Sequence, residues 1–198
     1  MTKWGKVDYK QFEQFKKKLE KLQQAELQKF CEAAAKELAA RLLRRIIELT
    51  PVGVKPEITG KKTVKVKGAS GKTRSFLTAE AARHQQYWSG YTGGTLRRGW
   101  TGGIKQDAAI YAKSLPVRQA GNVYIIDIIN PVEYAPYVEF GHRQQPGRYV
   151  PALGKKLKAD WVPGRLMVTK SEIELEGKLQ GILEKKLLKY LGDYLNGN

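Results

Sequence analysis

Two histidines, His84 and His142, and one cysteine, Cys31, are the only imidazole and thiol groups in the 198-residue chain. A zinc or iron centre needs several such ligands at close spacing, so the sequence predicts no metal and no cofactor. Cys31 sits in the helical run Phe30-Cys31-Glu32-Ala33 and reads as a small packing residue. Nothing in the spacing favours pairing it with either histidine as nucleophile and base. Gly68-Ala69-Ser70-Gly71-Lys72-Thr73 has the residue types of a phosphate loop but only two residues between its glycines, where a loop that wraps a β-phosphate has four. It reads better as the tip of a basic hairpin. Glu133 and Glu139 are the best-placed carboxylates for acid–base work, and a salt bridge from Glu139 to a nearby arginine is the simpler use of the second. No catalytic residue is assigned, and the chain is not expected to be an enzyme.

The remaining chemistry is recognition. Arg97-Arg98-Gly99-Trp100 and Trp161-Val162-Pro163-Gly164-Arg165 place guanidinium groups beside indoles. Such sets neutralise phosphates and stack on bases in nucleic-acid binders. In assemblies, Trp and Arg are the side chains that dominate interface energy. The charge balance keeps both readings open: 36 Lys+Arg against 19 Asp+Glu give a formal +17. The excess is uneven. Residues 51–100 hold ten cations and two anions, a larger positive excess than any other quarter of the chain, which marks a stretch that faces an acidic partner or forms a basic loop.

The elements that would position these residues follow from periodicity. Phe12, Phe15, Leu19, Leu22, Phe30, Ala34, Leu38, Leu42, Ile46 and Leu49 recur at helical steps, with Asp8 as a possible N-cap and Thr50-Pro51 as the stop. An unbroken helix over 8–49 would be ~63 Å long, so residues 1–29 are expected to project; a break near Gln23–Glu26 is the alternative. Thr63-Val64-Lys65-Val66-Lys67 alternates as a half-buried or edge strand does, and 78–88 reads as a short helix. Arg98–Ile104, Ala108–Leu115 and Asn122–Ile129 are strand candidates, the last nearly all apolar and therefore central. Tyr134–Phe140 reads as a short helix or turn with Pro136 in its first turn. Trp161–Thr169 holds another short strand, and Ser171-Glu172-Ile173-Glu174 is a capping-box pattern opening a C-terminal helix. The order predicts a single α+β domain over 1–198, a small antiparallel-dominated sheet packed against a long N-terminal and a C-terminal helix. No apolar window long enough to span a membrane is present, and no signal peptide is expected from Met1–Lys6.

With these elements in place, Thr50-Pro51-Val52 followed by Thr92-Gly93-Gly94-Thr95-Leu96-Arg97-Arg98-Gly99-Trp100 resembles the split signature of phage tail-completion, or head–tail joining, proteins. The run Asn130-Pro131-Val132-Glu133-Tyr134-Ala135-Pro136-Tyr137-Val138-Glu139-Phe140-Gly141-His142-Arg143 resembles the family's central motif. Trp161-Val162-Pro163-Gly164-Arg165-Leu166-Met167 resembles a third. The likeness covers roughly residues 30–190, with two departures: the element carries an extra glycine, Gly93-Gly94, and a basic insertion of about 39 residues, Gly53 to Tyr91, separates the halves of the first signature.

The resemblance implies a structural virion protein of the tail or neck, assembled in the bacterial host cytoplasm. Such proteins form a ring, commonly a hexamer, that completes the tail and joins it to the head connector. The implied partners are further copies of itself, connector or adaptor proteins, and tail-tube or tail-terminator proteins. Genomic DNA passes nearby without specific recognition, and no membrane is involved. Arg97, Arg98, Trp100, Tyr134, Tyr137, Glu139, Phe140, His142, Arg143, Trp161 and Arg165 are the candidate subunit-contact residues. The competing assignment for Tyr134, Val138 and Phe140 is internal core. Lys61, Lys62, Lys65, Lys67, Lys72 and Arg74 are candidates for facing an acidic protein partner or DNA. The alternative function is a free-standing basic nucleic-acid-binding protein.

Overall fold

The computed structural model describes residues 24–57 and 61–196. The expected helix start at Asp8 and the projecting segment 1–29 lie wholly or largely outside them. Two compact units arise from one chain. Among the described residues the first comprises 24–45, 106–128 and 169–196; the second comprises 46–57, 61–105 and 129–168.

In the first unit, helix α1 (Gln24–Leu49) is uninterrupted because no Gly or Pro falls inside it, and it stops at Thr50-Pro51. The C-terminal helix α6 (Met167–Asn196) pairs with α1 in opposite order along the chain. The Phe30 and Tyr190 rings lie 4.9 Å apart, Lys186 Nζ meets Glu37 at 2.7 Å, and Arg45 Nε meets Glu174 at 2.6 Å. Ala34, Ala39 and Leu43 supply buried apolar positions at helical spacing.

One expected strand is replaced in this unit and another is shortened. Ala108–Leu115 is helix α4 (Ala108–Ser114). Its amides find a local acceptor, Asp107, whose carboxylate takes hydrogen bonds from Ala109 N and Ile110 N, and this N-cap outweighs the apolar look of the run. The apolar stretch 122–129 forms only the short strand β4 (Val123–Ile125), paired antiparallel with β3 (Arg118–Ala120). It is no central strand: Val123 and Ile129 are exposed.

The second unit opens with the last turn of α1 and carries the insertion. Strands β1 (Thr63–Lys67) and β2 (Thr73–Leu77) form an antiparallel hairpin with Val64 opposite Phe76 and Val66 opposite Arg74, so Gly68–Lys72 is a hairpin tip. Thr78 then caps helix α2 (Ala79–Tyr87). Arg98–Ile104, expected as a strand, is instead the end of helix α3 (Thr95–Gly99) and a turn in which Thr101 N bonds to Arg98 O. Helix α5 (Ala135–Phe140) has its proline in the first turn. It leads straight into β5 (Gly141–Arg143), which pairs with β8 (Trp161–Pro163); between them β6 (Tyr149–Val150) pairs with β7 (Lys155–Lys156).

The fold is α+β, and the strand pairs among the described residues are all antiparallel. Among the described residues they form four separate two-stranded ladders rather than one sheet. The core of the second unit is Leu96, Ala135 and Met167, packed by Leu49, Val132 and Val138. The C-terminal helix begins at Met167, so the Ser171 capping pattern falls inside it; Ser171 is buried.

Candidate functional site

The candidate contact residues all belong to the second unit, and their placement starts from Thr50. Proline at position 51 ends α1, leaving carbonyl groups of its last turn without helical donors. Thr50 is fully buried and is used four ways. Its amide and its hydroxyl both donate to Ile46 O, at 2.9 and 2.6 Å. Its hydroxyl oxygen accepts from Trp100 Nε1 at 2.9 Å. Its carbonyl accepts from Arg97 Nη2 at 2.6 Å and Nε at 3.2 Å. The Arg97 cation therefore closes the negative end of α1. The two halves of the split signature, separated in sequence by the insertion, are one hydrogen-bonded joint.

Asn130 ties the central run to the same joint. Its Nδ2 donates to Leu96 O at 2.9 Å and its Oδ1 accepts from Val132 N at 3.1 Å. A Cβ at Gly99 would collide with the Asn130 amide and with Val132, so α3 approaches this strap only because position 99 has no side chain.

Helix α5 divides the remaining candidates into two sets. Its inner face holds Ala135, Val138 and Glu139. Glu139 is 5% exposed, and its Oε2 accepts from Val168 N at 3.1 Å, so a carboxylate sits on the positive N-terminus of α6. The Trp161–Met167 run is threaded against the same helix: Arg165 N donates to Val138 O at 2.8 Å and Leu166 N to Glu139 O at 3.0 Å. Gly141 has φ +85°, a region that favours glycine, and a Cβ there would meet the Val162 carbonyl and Gly164 nitrogen.

The outer face is aromatic. Tyr134, Tyr137 (58% exposed) and Phe140 (65%) stand in solvent. The competing core assignment holds for Val138 and not for Tyr134 or Phe140. Arg143 and Trp161 are cross-strand partners, both exposed. The His142 ring lies 5.9 Å from that of Tyr137, and its Nδ1 is buried without a hydrogen-bond partner. Arg98 is half-buried, with Nη1 on Gly93 O at 3.0 Å; Arg165 is exposed. Arg97, Trp100 and Glu139 therefore point into one copy of the chain, while Tyr134, Tyr137, Phe140, Arg143 and Trp161 point out of it.

Sequence reasoning missed an adjacent groove of about 550 Å³, whose lining includes Pro51, Val52, Tyr87, Trp88, Tyr91 and Tyr134. Trp88 makes edge-on ring contacts with Tyr87 and Tyr91, and its Nε1 donates to Ala152 O at 2.8 Å. The available signal was Tyr87-Trp88-Ser89-Gly90-Tyr91, three aromatics in five residues within an otherwise basic insertion.

Lys61, Lys62, Lys65, Lys67, Lys72 and Arg74 are all exposed, on or beside the β1–β2 hairpin. Among the described residues, no group of three or more His, Cys, Asp or Glu side chains is placed to hold a metal ion, and no helix is long and apolar enough to cross a membrane.

A family model described as "Bacteriophage HK97-gp10, putative tail-component" matches residues 13–141, well over half of the chain. No curated protein and no solved structure gives a significant match. The matched span contains the Thr50–Trp100 joint, the Asn130 strap and helix α5, and the chain belongs to this HK97-gp10-like family of bacteriophage tail components.

Proposed function

We propose that this chain is a structural virion protein that forms a closed ring at the head-proximal end of a phage or phage-like tail, completes the tail and joins it to the head connector. The observation that carries the reading is the outward aromatic face of α5, with Tyr137 and Phe140 more than half exposed, in a chain of a phage tail-component family. Contiguous exposed apolar surface on a soluble protein marks an interaction site. A ring requires a heterologous contact, one surface patch on each copy meeting a different patch on the next.

In this reading Tyr134, Tyr137, Phe140 and Trp161 are the anchors and Arg143 and His142 set register. Arg97, Trp100 and Glu139 act from inside, fixing α5 against α3 and the start of α6. The ring is six-fold by analogy with tail-completion proteins, assembles in the host cytoplasm and meets connector and tail-tube or terminator proteins on its two sides.

The test is the mass of the assembled species. Native mass spectrometry and electron microscopy of the purified full chain are expected to show a closed ring. The double substitution Tyr137→Ala and Phe140→Ala should shift it to monomer by at least about a hundredfold in midpoint concentration, since each buried aromatic anchor is worth roughly 1.4 kcal/mol or more. A ring of unchanged mass and midpoint would overturn the contact assignment. A persistently monomeric wild type that binds duplex DNA tightly would favour the nucleic-acid reading.

A further inference from the structure

Every position of strands β1 and β2 is exposed, and no third strand pairs with them among the described residues. A two-stranded hairpin standing alone in water is marginally stable. Its two faces differ in kind. Cross-strand partners share a face, so the register puts Val64, Val66, Phe76 and Arg74 on one side and Thr63, Lys65, Lys67, Thr73, Ser75 and Leu77 on the other. Val64, Val66 and Phe76 are each about half exposed, an apolar strip left uncovered by the described residues. From Lys61 to Leu77 the chain carries six cations and no anion.

We propose that this hairpin is a docking finger that enters an acidic cleft on a different protein of the same particle, with Val64, Val66, Phe76 and Arg74 against one wall and Lys65 and Lys67 against the other. The proposal rests on the tail-component reading above. Three occupants compete, and the charge and face pattern chooses among them. A second copy of the hairpin would set two all-cationic ribbons against each other, and like-charge juxtaposition is strongly unfavourable. Duplex DNA would satisfy the cations, but Lys65 and Lys67 lie on the face opposite the apolar strip. A phosphate backbone gripped by the lysine face would leave Val64, Val66 and Phe76 in water, and one gripped by the other face would turn both lysines away. An acidic protein cleft takes both faces at once, packing the apolar strip on one wall and pairing Lys65 and Lys67 with carboxylates on the other.

The full chain with Phe76→p-benzoylphenylalanine is assembled into particles, irradiated, and the product identified by mass spectrometry. The expected product is a cross-link to an Asp/Glu-rich segment of another virion protein. Its yield should fall at least about tenfold when Val64→Asp and Val66→Asp are added, because the acidic partner then meets like charge in the strip. Val64 and Val66 are both exposed on β1, and the circular dichroism of the purified variant should match wild type. A cross-link to DNA, a cross-link between two copies of this chain, or no cross-link from particles that contain the chain would each overturn the docking finger. Particles that mature without incorporating the chain at all would overturn the tail-component reading beneath it instead.

Discussion

Thr50 is the residue on which the second unit turns. Its hydroxyl lies between Ile46 O and Trp100 Nε1, and its carbonyl holds Arg97. Thr50→Val keeps the shape and removes the acceptor, leaving the Trp100 N–H buried without a partner. That is expected to cost ~1–3 kcal/mol, whereas Thr50→Ser, which keeps the hydroxyl and loses a methyl, should cost about 1 kcal/mol or less. Urea unfolding followed by tryptophan fluorescence distinguishes them, and equal losses for the two variants would remove the hydroxyl from its assigned role. The motif residues were legible in the sequence, but their roles were not. Arg97, Trp100 and Glu139 are residue types that serve interfaces and interiors equally well. Only the 47-residue return from Arg97 to Thr50 and the approach of Glu139 to the α6 amides decide which way they face. Tyr137 and Phe140 were legible as an aromatic pair three residues apart, hence on one helix face.

At the scale of elements, periodicity served where a helix or hairpin is long enough to repeat. The described part of α1, strand β1 with its hairpin tip, α2 and α5 fall where the spacing put them. Short elements were misread because a local cap outranks the apolar pattern: Asp107 makes 108–114 a helix, and the Glu139 carboxylate, distant in sequence, starts α6 four residues before the Ser171 pattern. The α1–α6 pair carries its own prediction. Glu37 is held below the ordinary carboxylate pKa, chiefly by the hydrogen bond from Lys186 and then by Arg41. Glu174 is lowered by Lys178 and then Arg45. A carboxylate whose folded pKa is depressed adds stability that is present above its unfolded pKa, about 4.3, and lost as pH falls through the folded value. The first unit should therefore lose helical stability as pH falls below about 5. Glu37→Gln should flatten that acid limb and cost no more than ~1 kcal/mol at neutral pH, because the pair is partly solvated and screened. Thermal melts by circular dichroism at a series of pH values read this directly; an identical pH slope in the variant would show that the Glu37 pair does not contribute.

On the scale of the whole molecule, the formal +17 works against self-association. Copies packed into a ring bring like charges within a few Debye lengths, which are ~10 Å at 0.1 M salt. The contact assigned to self-association is mostly aromatic and uncharged, so salt weakens the repulsion without weakening the attraction. Ring formation by the isolated chain is therefore expected to strengthen as NaCl rises from about 50 to about 500 mM. A contact built from ion pairs would weaken over the same range. So would phosphate binding, for which affinity falls steeply with salt in proportion to the number of phosphates neutralised. Sedimentation velocity across that series, run with and without a short duplex, puts the two behaviours on one axis. A ring population that falls with salt would mean that charge pairs, not Tyr137 and Phe140, hold the copies together. The same measurement on a chain whose six hairpin cations, Lys61 to Arg74, are replaced by Gln should give a ring that forms more readily at low salt. These cations are dispensable for self-contact on this account and add only repulsion until an acidic partner meets them.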